Sequence, residues 1–372
     1  MKLFGICHSL LVRVFLTPFS DAGGLGSHCK YISFHIIISE YCRLFIQKSN
    51  THKMAGAIAG TAIIKTGGKH ETLNTVSLTI NNACNMSCGH CYLQYKSDNT
   101  LISDGIVESV LNNDFSHLAI VGKEPLVNNS SIEKLCSIIE KCAEKGISVS
   151  FITNGINLSH LPIGIIPLIN YIDVSFDGGF ESYKNYRKGD IVEILDGIRH
   201  CLEHGLKEVN ALHTICNQTM EFVPDCIRLK EYIPFKTILF TPYLSTINYG
   251  ENTVSPLPLL EVIKKMDNDD TFNNSDEASL LIDNYHIEQN GLSIGCLENA
   301  LAKVSNKGKY LVYKDDPVFY GIIRVTYDGF ILSPRQSLNT RLYRDAPRIN
   351  SHTNLNELFR QLSNQELKIH GS

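Results

Sequence analysis

Through the middle of the chain, apolar positions recur with two periods that take turns. Val76 to Ile80 sets apolar residues against hydroxyls one by one, the two-residue period of a strand. Over 103–112 the apolar positions move to Ile106, Val107 and Val110, which share one face of a helix. The same exchange predicts further strands over 117–121, 148–153, 171–176, 208–215 and 236–242, with helices over 132–144, 191–204 and 221–231. Six strands joined through helical connections imply a parallel sheet, since parallel neighbours cannot be linked by a tight turn. Sheets of that kind place their chemistry at the carboxyl ends of the strands.

The two ends of the chain do not follow this rhythm. Residues 1–53 carry an apolar run from Leu3 to Leu16, interrupted by His8 and Arg13. It is shorter than the roughly 20 residues a membrane helix needs, so no membrane partner is expected. The segment is expected to be an extension ahead of the folded part, with Met54 as a functional start. Beyond residue 250, the run from Asp267 to Asp276 is rich in Asp and Asn and predicts a polar loop or linker. Gly321 to Tyr327 and Phe330 to Leu332 flank Asp328-Gly329, a strong hairpin signal.

Candidate chemistry concentrates where the first predicted strand ends. Cys84-Asn85-Met86-Ser87-Cys88-Gly89-His90-Cys91 holds three of the chain's 12 cysteines. Asn85, Ser87 and Gly89 favour a loop, and a loop can turn three thiolates toward a common centre. Sulfur is the soft ligand that iron and zinc sites select. Three readings meet at this point. A structural zinc site takes four protein ligands, usually from two close pairs, and no second close pair follows. A disulfide framework suits small secreted domains, whereas 372 residues are ample for a hydrophobic core. An iron-sulfur cluster normally takes four cysteines, so three would leave one iron open to another ligand.

Other features narrow the picture by exclusion. A net charge of -4 with mixed signs shows no basic stripe, so nucleic acid is not an expected partner. Gly67-Gly68-Lys69 lacks the first glycine and the terminal hydroxyl of a phosphate loop. Cys136, Cys142, Cys201 and Cys226 fall in predicted helices and read as buried small hydrophobes in a reducing compartment. His213 and Cys216, near the end of the predicted strand over 208–215, read as core.

The CxxxCxxC spacing, with His90 ahead of the last cysteine, resembles the signature of the radical S-adenosylmethionine (radical SAM) enzymes. Further segments extend the resemblance in the family's order, over roughly residues 74 to 245. Gly122-Lys123-Glu124-Pro125 looks like the family's Gly-Gly-Glu-Pro, with Lys123 in place of the second glycine. Thr153-Asn154-Gly155 and Ser175-Phe176-Asp177-Gly178 look like the segments that end its third and fourth barrel strands. Arg187-Lys188-Gly189-Asp190 matches an Arg-Gly stretch found in members with C-terminal SPASM or twitch extensions.

The resemblance implies an α/β fold, a partial (β/α)6 TIM-like barrel over 54–250, with a small α+β SPASM/twitch-like extension over 251–372. It implies that Cys84, Cys88 and Cys91 hold a [4Fe-4S] cluster whose open iron binds the amino and carboxylate groups of S-adenosylmethionine (SAM). An electron, from a donor such as flavodoxin or ferredoxin, would then cleave SAM to methionine and a 5'-deoxyadenosyl radical that abstracts hydrogen from substrate. By the same resemblance Gly122 and Glu124 fall near the SAM amino group, and Ser175 and Asp177 near its methionine or ribose part. Arg187 would meet the SAM carboxylate, and Asn154 either contacts ligand or shapes the Asn-Gly turn. Lys123 removes a glycine at a place where glycine lets backbone approach closely. The Pro-Cys expected after the hairpin is replaced by Ser333-Pro334-Arg335, and after Cys226 the sequence has Cys296 alone. One cluster is therefore expected, in a cytoplasmic enzyme. Its implied substrate is a peptide, with a small metabolite as the alternative and a non-catalytic iron-sulfur or zinc protein as the rival outside catalysis.

Overall fold

The chain enters its sheet at a short strand, β1 (Ile63–Lys65), and then lays down six in succession: β2 (Thr75–Thr79), β3 (His117–Val121), β4 (Ser148–Thr153), β5 (Tyr171–Ser175), β6 (Val209–Ile215) and β7 (Thr237–Pro242). The computed structural model describes residues 63–65, 72–91, 98–244, 254–315, 321–333 and 346–370. The extension expected over 1–53, the glycines at 67 and 68, and Pro334-Arg335 lie outside these. Each strand from β2 to β7 pairs in parallel with the next, for example Thr75 with His117 and His117 with Ser148. The strands are buried along nearly their whole length, as parallel sheets covered on both faces must be.

The helices begin where the sequence supplies a side-chain cap. Ser103 Oγ accepts from the Ile106 N–H at the start of α1 (Asp104–Leu111). Asn128 Oδ1 accepts from Ser131 N–H, so α2 (Asn129–Glu144) starts a turn earlier than its apolar period suggests. α3 (Phe180–Tyr186) is short, and Asp190 caps α4 (Ile191–Glu203) through the Val192 N–H. α5 (Val223–Arg228) sits between two 3-10 turns and fills the last crossover of the six. Between β4 and β5 the connection is two 3-10 turns, Leu158–His160 and Ile166–Leu168, the second carrying Pro167.

Beyond residue 253 the chain continues the same sheet at both edges. α6 (Leu259–Asp267) and α7 (Asp270–Asn273) lead into β8 (Ala278–Ile282), which pairs with β7. After α8 (Asn284–Gln289) and α9 (Ile294–Leu301), β9 (Tyr310–Tyr313) joins β8 on one side and β1 on the other. β10 (Ile322–Val325) then crosses to the far edge, lies parallel to β2, and forms an antiparallel hairpin with β11 (Ile331–Leu332). The expected hairpin is thus present, and its Asp328-Gly329 turn falls at the end of the sheet where β2 runs into the cysteine loop. α10 (Leu355–His370) closes the described chain. The strand order is β1-β9-β8-β7-β6-β5-β4-β3-β2-β10-β11, so the sheet is open between β1 and β11.

One expectation is corrected here. The acidic stretch from Asp267 to Asp276 is not a plain loop: Asp267 ends α6 and Asp269 Oδ1 caps α7 through the Phe272 N–H. Phe272 is fully buried and draws the segment onto the core. A cluster of Asp and Asn therefore marks two helix ends instead of a linker. Among the helix cysteines, Cys142, Cys201 and Cys226 are buried as expected, while Cys136 is half-buried.

Gly155 shows how tightly the barrel and helix layers meet. Its φ is +86°, and an added Cβ would lie 2.6 Å from Ile194 Cγ2 and 3.1 Å from Val174 Cγ1. Gly155→Ala is expected to cost about 2–4 kcal/mol, from left-handed strain plus overpacking. Urea denaturation checks this; a loss under about 1 kcal/mol would show that α4 yields freely there.

Candidate functional site

A cavity opens at the carboxyl ends of β2 to β6, and each strand hands it the residues that follow. Cys84, Met86, Cys88, His90 and Cys91 come from the loop after β2, and Gly122, Lys123 and Glu124 from the turn after β3. Thr153 and Asn154 come from the end of β4, Ser175 and Asp177 from that of β5, and Leu212 and Thr214 from β6. Arg187 reaches in from the end of α3. Open mouth included, the cavity encloses about 790 Å³. All nine residues that the sequence singles out line this one space.

Glu124 organises the floor. Its side chain is 1% exposed, and its oxygens accept from Thr153 Oγ1 at 2.6 Å, the Asn154 N–H at 2.7 Å and the Leu126 N–H at 3.0 Å. Burial pushes its carboxyl up, against the pull of those donors. It thus ties the end of β3 to that of β4. Asn154 carries the tie onward: its Nδ2 donates to Asn85 Oδ1 in the cysteine loop at 2.7 Å, and its Oδ1 accepts from the Ile156 N–H at 3.1 Å. The Asn-Gly turn and the contact with the loop are therefore made by one side chain. Asn81 Nδ2 donates to the Glu124 carbonyl at 2.7 Å and fastens the near end of the loop.

The opposite wall is an ion pair. Asp177 is 1% exposed and holds a left-handed φ of 53°, which turns its carboxylate inward. Arg187 grips one oxygen from Nε at 2.7 Å and from Nη2 at 2.5 Å, while the Thr214 N–H donates to the other at 2.6 Å. Burial alone would raise the Asp177 carboxyl, but the Arg187 guanidinium and His90 outweigh it and hold it well below the usual carboxylate range. Two donors of Arg187 are thus engaged on Asp177, and Nη1 lies 3.8 Å from Met86 Sδ. His90 bridges this wall to the cysteine loop: its Nε2 is 3.2 Å from Asp177, and its Nδ1 is 2.7 Å from the Tyr186 hydroxyl.

The turn at Gly122-Lys123 keeps close approach despite the lysine. Gly122 carries the special backbone, with φ of +151° and Thr79 Cγ2 only 3.3 Å from an added Cβ. Among the described residues other than glycine, only Asp177 and Lys188 have positive φ, so position 123 accepts a side chain without backbone strain.

The three half-buried thiols suit an iron-sulfur cluster by their chemistry. Burial, then the Glu124 charge, push the Cys84 thiol up to about 12, and burial raises Cys88 as well. Thiols so placed become thiolates when iron takes the charge. Among the described residues no three His, Cys, Asp or Glu side chains close on a single ion; the thiols line the cavity instead.

Several contributors are given no role by the sequence. Thr153 and Thr214 act through one hydroxyl and one N–H that only the strand ends bring near Glu124 and Asp177. Met86 touches Arg187 from between two cysteines. His213 and Cys216 are buried, as expected, and do not line the cavity.

Known proteins share part of this chain's sequence and its fold. Residues 78–229, which span β2 to α5, match the family model of the Radical SAM superfamily. The chain carries a radical SAM domain. The chain is 29% identical over 149 residues to the GTP 3',8-cyclase of Alkaliphilus oremlandii, a match covering 37% of this chain and 46% of the cyclase. The chain thus spans about half the length of that curated relative. SuiB of Streptococcus suis, solved with S-adenosylmethionine, shares the fold with a TM-score of 0.54 at 13% identity, over 86% of this chain and 69% of SuiB. anSMEcpe with bound AdoMet shares it with a TM-score of 0.52 at 18% identity, over 79% of each chain. What these two proteins, each solved with S-adenosylmethionine bound, share with this chain is the fold.

Proposed function

We propose that the chain is a radical SAM enzyme, with Cys84, Cys88 and Cys91 holding one [4Fe-4S] cluster and SAM bound beside it. The observation that carries this reading is the convergence of the cysteine loop and four further strand-end segments on one cavity. When bound, such a cluster supplies the electron that splits SAM into methionine and a 5'-deoxyadenosyl radical able to take hydrogen from a substrate. The chain's own residues shelter that chemistry. Glu124 and Asn154 brace the cysteine loop, Asp177 and Arg187 fix the facing wall, and Gly122 and Ser175 line the space offered to ligand. Cys296 alone follows Cys226, which supports a single cluster. Low-potential carriers such as flavodoxin or ferredoxin would supply the electron, in the cytoplasm. Among the described residues no helix is long and apolar enough to cross a membrane.

A peptide is the favoured substrate. SuiB has been solved bound to its precursor peptide SuiA, and anSMEcpe with AdoMet and a Cp18Cys peptide; both share this fold. The match to a GTP 3',8-cyclase favours the second reading, a small metabolite. Anaerobic incubation of the reconstituted protein with dithionite and SAM is expected to yield 5'-deoxyadenosine. If the protein takes up iron and sulfide yet yields none, it is a binding protein and the proposal fails.

A further inference from the structure

Lys123 stands where the resembling segment carries glycine, and the backbone there gives no reason for the exchange. Its surroundings do. The cavity lining holds Asp177 and Arg187, whose opposite charges meet at 2.5 Å and cancel locally. Glu124 adds a carboxyl buried at 1% exposure, and the three cysteines add thiolates once metal binds. Against that anionic set, Lys123 is the lysine of the lining, half-buried at the lip of the same cavity.

We infer that Lys123 is a positioning residue for electron transfer: its ammonium stabilises the reduced state of the cluster held by Cys84, Cys88 and Cys91. This rests on the proposed function. Reduction adds one negative charge to a site that already carries three thiolates, and a nearby cation favours the more negative state. Lys123 and the thiols are half-buried, so the attraction is less damped than between fully exposed charges. The electrostatic neighbours of Lys123 agree with this placement. Burial disfavours its charge, whereas Cys91 and then Cys84 favour it. Asp98, an exposed carboxylate tied to Asn82 and Thr100, is a weaker partner.

Lys123→Met keeps the stem and removes the charge, while Lys123→Arg keeps the charge. Both, with the wild type, would be reconstituted, assayed for iron and sulfide, and titrated anaerobically without SAM, following the reduced cluster by electron paramagnetic resonance. K123M is expected to make reduction at least tenfold less favourable, about 59 mV for a one-electron couple, with K123R close to wild type. Equal potentials for K123M and wild type at equal iron content overturn the inference. So does a K123R shift as large as that of K123M, which would mean that shape and not charge matters. A wild type that takes up no reducible cluster overturns the proposed function, and this inference with it.

Discussion

Asp177→Asn is expected to lower the stability of the protein by about 3–5 kcal/mol in urea titration, because it leaves the Arg187 guanidinium buried without its counter-charge. The pair is closed from solvent on both sides, with side chains 1% and 7% exposed. Asparagine keeps the size of the side chain but only one of the two acceptor oxygens, so the loss reports charge and a hydrogen bond, not volume. A companion variant, Asp177→Asn with Arg187→Met, removes both charges and is expected to recover much of the stability. The pH dependence has a definite sign. Arg187 and His90 hold the Asp177 carboxyl well below its ordinary value, in spite of burial. Its stabilising contribution is therefore complete above the unfolded-state value of about 3.9 and is lost as pH falls through the lower folded-state value. In the wild type this adds to acid sensitivity, and Asp177→Asn removes that component. A variant as stable as wild type would mean that the wall is solvated in solution.

The second large effect concerns the cysteines. Alanine at Cys84, Cys88 or Cys91 is expected to take iron from about four per chain to near zero after anaerobic reconstitution, and 5'-deoxyadenosine to background. A cluster already short of a fourth cysteine has no ligand to spare. Cys216→Ala and Cys296→Ala serve as controls: one thiol is buried outside the cavity and the other is exposed. Both should retain full iron. Retention of iron by a Cys88→Ala protein, or its loss from Cys296→Ala, would relocate the cluster. Thermal unfolding of each protein before reconstitution separates loss of ligand from loss of fold.

The six central strands were legible because each is a local run of apolar residues bounded by turn formers. The outcome departs from the expected ranges by a residue at some strand ends. Helix α2 began early because Asn128 provides a cap that periodicity does not register. The short strands β8 and β9 were harder to read, whereas the Asp328-Gly329 turn had already marked β10. Strands β8 and β9 are five and four residues long and take their place by pairing with β7, with each other and with β1. The acidic stretch before β8 misled for a related reason, since Asp and Asn serve equally in loops and at helix caps.

The candidate site divides along the same line. The order of turns, the three thiols and the residues after each strand were set by local sequence, because in a parallel sheet every strand ends on the same side. What those side chains do to one another was decided by the tertiary structure. Glu124 could have been a solvated charge, and became a buried brace only because β4 delivers Thr153 Oγ1 and the Asn154 N–H to it. Arg187 could have been an open fork, and instead closes on Asp177, ten residues away in sequence and fixed by the Thr214 N–H from the next strand. Burial and hydrogen bonding depend on neighbours from separate strands, so no single segment specifies them. The sequence alone determined which residues meet at the strand ends, and the packing of the strands decided which of them remain free to meet a ligand.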